Sequence, residues 1–276
     1  MLLCTEGVGS DWQTAIPAAV AIELVHNFSL IHDDIEDNGL TRRGQEAVWV
    51  KWGLPIGLNS GDAMFAAAFK SIYGLTELLG SEKTLRAAEL LTTTCLLLTQ
   101  GQHLDLTYED KKRIKIGDYF RMIEGKTAAL FACCTHMGAL IGDLDGEKLE
   151  SYRQFGHFLG IAFQIYDDWL GIWGDPEQTG KSACSDLVES KQTLPVLLGL
   201  ENSGRFKDRW NGLPITESEA IDIAGWLKED GVELLVRNEF FRWHEKMHEE
   251  LRILECSEPV KSALGELSEQ LTMRKK

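Results

Sequence analysis

The densest chemistry in the chain lies in six consecutive residues, His32-Asp33-Asp34-Ile35-Glu36-Asp37. They close an apolar stretch in which Ile16, Ala19, Val20, Leu24, Phe28 and Ile31 recur at helical spacing. Asp33 and Asp37 are four apart, so on a helix their carboxylates share one face. Like charges at that spacing cost about 0.2–0.5 kcal/mol, and the negative end of the helix dipole adds to the penalty. A sequence that accepts both is equipped to recruit a cation. Hard carboxylate oxygens suit Mg²⁺, which takes one or two carboxylates and shares its other positions with water and phosphate. For this cluster alone, a solvated helix end is the plain alternative.

A second acidic pair changes the balance. Asp167-Asp168 sits among Phe163, Ile165, Tyr166, Trp169 and Leu170, which is not the pattern of a solvated face. Two unpaired carboxylates buried there would be costly, so a metal or a cationic partner must compensate. Two such clusters on separate helices can clamp one polyanion through bridging metals. Cations follow each cluster: Arg42-Arg43 after the first, and Gly180-Lys181-Ser182 and Lys191 after the second. Gly125-Lys126-Thr127 lies ahead of another apolar helix. Singly, each lysine reads as surface. Together, acids that need metal and cations that need an anion describe a diphosphate site.

The elements that position these residues are helices. Helical periodicity marks residues 14–37, 60–79, 82–106, 116–141, 147–173, 191–202, 216–229, 232–256 and 258–273. Gly and Pro punctuate them at Gly53-Leu54-Pro55, Gly80-Ser81, Gly174-Asp175-Pro176 and Gly212-Leu213-Pro214. Strand alternation and Asn-Gly hairpins are lacking, and no internal repeat is visible. The expectation is an all-α bundle of about ten helices forming one domain over residues 1–276, with the loop 203–215 as the best hinge candidate.

Composition narrows the function classes. The 276 residues carry 28 Lys+Arg against 43 Asp+Glu, a net charge of −15. Nucleic acids and anionic membranes need a basic face, so neither is an expected partner. The first 41 residues hold seven acids and no Lys or Arg. Six cysteines without C-x-x-C spacing read as buried thiols in a reducing compartment. The start shows no basic n-region followed by a long apolar segment. The longest uncharged runs, 90–104 and 127–142, are shorter than the ~20 residues of a membrane span. A cytoplasmic protein without stable membrane insertion is expected.

Two motifs look like chemistry and are read otherwise. His244-Glu245-Lys246-Met247-His248 matches H-E-x-x-H. The apolar stripe of that helix is Phe240, Trp243, Met247, Leu251 and Leu254, and the histidines sit one residue off it among charges. The expectation is a charged helix surface. Residues 174–182 resemble a nucleotide P-loop but have five residues between Gly174 and Gly180-Lys181, one too many, and follow a helix rather than a strand.

Taken together, the residues resemble the trans-prenyltransferase (polyprenyl diphosphate synthase) family. The pattern D-D-x-x-D-x-x-x-x-R-R-G is met by Asp33-Asp34-Ile35-Glu36-Asp37 and Arg42-Arg43-Gly44. Family-like pieces then follow in order: Gly101-Gln102 with Asp105, Gly125-Lys126-Thr127, Phe163-Gln164, Asp167-Asp168, Gly180-Lys181, Asp186-Leu187, and Lys191 with Thr193-Leu194-Pro195. The resemblance spans about residues 2–200. It implies an isoprenoid-synthase bundle around a deep central cavity, a homodimer, and three Mg²⁺ held on an allylic diphosphate. Asp33, Asp37 and Asp167 would be direct ligands, with Asp34 and Asp168 assisting through water. Arg42, Lys126, Gln164, Lys181 and Lys191 would face the allylic diphosphate, and Arg43 the isopentenyl diphosphate. Thr127 and Gln164 would stabilise the allylic cation. The residues four and five before the first aspartate, Ser29 and Phe28, would form the floor that limits chain length. A bulky Phe28 resembles enzymes of fifteen- or twenty-carbon products, and the uninterrupted first motif leans to twenty.

Two departures from the pattern leave other activities open. Gly171 stands where the second motif carries its last Asp, with Asp175 the nearest acid in sequence. The family's G-K-x-x-R-P segment, whose Lys and Arg grip isopentenyl diphosphate, would precede Met1. Either the chain begins late or the acceptor site is diminished. A class I terpene cyclase on the same fold would fit the second case; a non-catalytic partner subunit is a third reading, against which the intact first motif argues.

Overall fold

The computed structural model describes residues 1–109, 111, 113–175, 184–212 and 214–273. Among these, secondary structure is helical apart from one hairpin, Thr41–Arg42 with Gln45–Glu46. The all-α expectation therefore holds. The hairpin is a correction to the reading that found no strand pairing. Arg43 and Gly44 at its tip have φ 53° and 74°, the two left-handed positions of a type I′ turn. Arg-Gly serves here where Asn-Gly would have been the recognisable signal.

The chain divides into two compact units: Met1–Leu96 with Ala132–Arg153 and Ile253–Leu264, and Leu97–Phe131 with Gln154–Arg252 and Gly265–Lys276. In the first, the helix Ile16–Glu36 starts with Pro17 in its first turn, where a missing N–H costs nothing. It packs along the helix Leu54–Tyr73, and Ser71 Oγ donates to Pro17 O at 2.7 Å. The expected break at Gly80 is real: φ is 78° there, inside the long helical run Thr76–Glu109. The segment Trp12–Glu36 is long and apolar enough to cross a membrane by length and composition, a stretch the count of uncharged runs passed over because Glu23 interrupts it.

In the second unit, Tyr119, Ile161, Ile165, Phe206, Leu227, Val236 and Phe240 belong to one buried core. The proposed hinge 203–215 is corrected: it contains the helix Gly204–Trp210. Phe206 and Trp210, four apart, are 0% and 4% exposed, so the segment is anchored in the core. Ser203 caps this helix by accepting from Phe206 N–H at 3.3 Å. All six cysteines are free thiols.

Candidate active site

In the first unit the acidic cluster ends its helix. Asp37 N–H donates to Asp33 O at 2.8 Å and Gly39 N–H to Asp34 O at 2.8 Å, while Asn38 turns left-handed at φ 54°. Trp49 Nε1 donates to Gly39 O at 2.8 Å, which fixes the exit loop. Asp33 and Asp37 thus stand one turn apart, both half-buried. The hairpin then folds Arg42 back onto the motif. Its Nε and Nη2 donate to Asp34 Oδ1 at 3.0 and 2.6 Å, and Nη2 reaches Asp33 Oδ2 at 3.4 Å. Asp34 is 5% exposed, so this is a shielded ion pair. Arg43 is exposed at the hairpin tip.

One to two turns before the motif, Phe28 packs edge-on against Phe65 at 5.1 Å and His32 at 5.7 Å, and Phe65 continues to Phe69 at 5.2 Å. Ser29 Oγ donates to His26 O at 2.8 Å, a bond within its own helix. His32 lies across Gly61: a Cβ there would be 2.2 Å from its Nε2. Sequence reasoning missed Phe65 and Gly61. Only the spacing of Phe65 and Phe69, four apart, hinted at an aromatic row.

In the second unit, Gly125-Lys126-Thr127 forms a π-helical turn, Glu124–Ala128, between Ile116–Ile123 and Ala129–Ile141. Such turns re-aim side chains at functional sites. Close backbone approach makes it possible. A Cβ on Gly101 would lie 2.1 Å from Lys126 N, and one on Gly125 would lie 2.7 Å from Leu97 O. Lys126 Nζ consequently reaches Asp105 in a short ion pair. Thr127 Oγ1 donates to Gln164 Oε1 at 2.6 Å, and Gln164 Nε2 donates to Asp168 Oδ1 at 2.9 Å. Asp168 Oδ2 accepts from Tyr119 OH at 2.7 Å and from Leu194 N–H at 3.1 Å. Burial, with the negative charge of Asp186 nearby, pushes the Asp168 carboxyl up to about 7; its three donors hold it from rising further.

Asp168 therefore positions Gln164 through one direct hydrogen bond, while Asp167 stands half-buried beside it. Tyr119 carried no sequence signal, because its partner is 49 residues away. The Gly171 departure has a geometric reason. A Cβ at 171 would lie 2.3 Å from Asp186 Oδ2, so a carboxylate from another segment fills the space beside the third motif position. Lys191 lies 3.1 Å from Glu189 Oε2. Lys181 and most of the P-loop-like run fall outside the described residues. The oxygen donors of each cluster, Asp33 and Asp37 in the first unit and Asp167 in the second, are of the type that suits a hard divalent ion such as Mg²⁺.

These features define an all-α isoprenoid-synthase fold that carries two aspartate clusters, with cations near them in sequence. The polyprenyl synthetase family model matches residues 1–218. The geranylgeranyl diphosphate synthase of Mycobacterium tuberculosis is 44% identical over 194 residues, covering 70% of this chain and 55% of that protein. The geranylgeranyl diphosphate synthase of Methanosarcina mazei is 35% identical over 275 residues, covering 99% of this chain and 83% of that protein. A crystal structure of the Corynebacterium glutamicum geranylgeranyl pyrophosphate synthase, complexed with isoprenyl diphosphate and magnesium, is 26% identical. It superimposes with a TM-score of 0.86 over 95% of this chain and 80% of that one. The chain belongs to the polyprenyl synthetase family, a family of trans-prenyltransferases.

Proposed function

We propose that the protein condenses an allylic diphosphate with isopentenyl diphosphate, head to tail, to a short-chain trans-prenyl diphosphate of twenty carbons. The observation that carries this reading is the ordered end of the helix Ile16–Glu36, where Asp33 and Asp37 share a face beside an arginine hairpin. Asp33, Asp37 and Asp167 would hold Mg²⁺, three ions per site, with Asp34 and Asp168 behind them. When bound, these ions supply Lewis-acid stabilisation of the departing diphosphate.

The chain's own residues do the rest. Arg42 spends two of its donor nitrogens on Asp34 and Asp33 and keeps the remaining N–H groups of its fork for a phosphate. Lys126, Lys191 and Lys181 supply further positive charge toward the allylic diphosphate, and Arg43 serves the isopentenyl diphosphate. Gln164 is locked with its NH₂ on Asp168, so its carbonyl oxygen points at Thr127. The lone pairs of Gln164 and Thr127 form a fixed negative dipole for the allylic cation, which needs no reorganisation as charge develops. Phe28, backed by Phe65, closes the path of the growing chain. The same reading makes the protein a cytoplasmic homodimer without membrane insertion. Exposed Leu85 and Leu96, eleven apart on the helix that follows Gly80, at 67% and 60% exposure, supply an apolar face for a second copy.

The test is elongation with Mg²⁺, labelled isopentenyl diphosphate and allylic starters, with chromatography of the products. Label in a twenty-carbon diphosphate is the expected result. Hydrocarbon or alcohol release without isopentenyl consumption would assign a cyclase instead.

A further inference from the structure

The H-E-x-x-H run is unused by prenyl transfer, and the structure corrects its reading as a charged surface. His244 is only 7% exposed. The helix Val232–Ile253 turns it inward beside Phe240, ring centroids 5.2 Å apart. His248 lies one turn on, with its ring 4.5 Å from that of His244 at 78°. Glu269, from the helix Glu258–Thr272, meets both. Its Oε1 is 3.2 Å from His244 Nε2 and 2.9 Å from His248 Nε2. One ligand atom from each of the three residues lies within 4.8 Å of the others.

This spacing is close to that of a metal's first shell. With Zn–N and Zn–O bonds of about 2.0–2.1 Å, the edge of a tetrahedron is about 3.3 Å. His244 Nε2 is also buried with no hydrogen-bond partner of acceptable geometry, although it faces a carboxylate. A buried ring nitrogen left in that state is costly, and a metal ion would satisfy it. Burial also disfavours the protonated ring, which keeps His244 in the neutral form that ligates. Two imidazoles with one carboxylate suit Zn²⁺ better than Mg²⁺.

We propose that His244, His248 and Glu269 form a Zn²⁺ site that clips the helix Glu258–Thr272 to the helix Val232–Ile253. Its role is structural. Glu245, the base of a hydrolytic H-E-x-x-H site, is exposed and lies off the histidine face, one residue around the helix. The inference does not rest on the prenyl-transfer reading.

The experiment uses the tag-free full chain, stripped with EDTA and returned to buffer with excess Mg²⁺ to occupy the aspartate clusters. Titration with Co²⁺ should give the intense visible bands of a tetrahedral N/O site at one equivalent. Zn²⁺ should displace it and raise Tm by about 5–10 °C at a hundredfold excess over Kd. His248→Ala and Glu269→Gln alter partly exposed side chains and should fold. Each should weaken Zn²⁺ binding about 100-fold and abolish the Co²⁺ bands, while Mg²⁺-dependent activity stays unchanged. Absence of a tetrahedral Co²⁺ spectrum would overturn the proposal. So would Zn²⁺ binding that both variants leave intact, since thiols or aspartates would then hold the ion.

Discussion

At the end of the helix Ile16–Glu36 a cation restrains Asp33 and Asp34; on the helix Gly146–Trp173 neutral donors restrain Asp168. Arg42 pairs with Asp34 and reaches Asp33, while Asp33 and Asp37 stay half-buried. Asp168 receives a phenol, an amide and a backbone N–H, with Asp186 as an unfavourable neighbour. The first arrangement leaves two carboxylates only half-buried, as cation recruitment requires. The second gives up one carboxylate's direct reach and uses it to orient Gln164. Two motifs that look alike as letters are thus built differently: one ends a helix with half-buried carboxylates beside an arginine, the other commits a buried carboxylate to a hydrogen-bond network that fixes Gln164.

The largest effect that separates them is on turnover. Asp33→Ala should lower kcat by about 10³-fold or more, because it removes charge stabilisation of the leaving group; steady-state assays with Mg²⁺ measure it. Gln164→Leu should cost about 100-fold in kcat and Thr127→Val about 10-fold, with KM for the allylic diphosphate moving less than either. Equal losses in kcat and kcat/KM would sharpen the assignment of these two side chains to the cation rather than to diphosphate binding.

Gly171 probes the packing around the second cluster. Gly171→Asp places a side chain 2.3 Å from Asp186 Oδ2 at its first atom and adds a like charge. It should destabilise the protein by about 3 kcal/mol, read as a lower urea midpoint, and should not raise activity. The double change Gly171→Asp with Asp186→Gly should recover most of that stability; no recovery would remove the steric account.

The pH dependence is smaller. The Asp168 carboxyl titrates at about 7 in the fold against about 3.9 when unfolded. The folded state therefore prefers the protonated form, and this preference is lost as pH rises through that window. Measured in EDTA, the Tm of Asp168→Asn relative to the unmodified protein should shift in the variant's favour between pH 5 and pH 8. Smallest in stability terms is Phe28→Ala, which should lengthen the product by one or more five-carbon units, as chromatography would show.

The sequence made the helices and both clusters legible because periodicity and charge spacing are local. Asp33, Asp37 and Arg42 lie within ten residues of one another, and their juxtaposition follows from one helix end and one tight turn. What it could not show is long-range. The Tyr119 bond to Asp168 and the Asp186 carboxylate beside Gly171 each need tertiary folding. The helix Gly204–Trp210 was hidden because seven residues hold only two core positions, too few to set a period. His244 was misassigned for a related reason: the face of the helix that packs is wider than the stripe its largest side chains define, and Glu269 arrives from a different helix.

On the proposed function, Asp33 and Asp37 bind diphosphate through magnesium. Calorimetric titration with a non-reactive allylic thiolodiphosphate, with Mg²⁺ and in EDTA, tests it directly. Tight binding that depends on Mg²⁺ and disappears in Asp33→Ala with Asp37→Ala is the predicted result. Equal affinity in EDTA, or in the double variant, would contradict it.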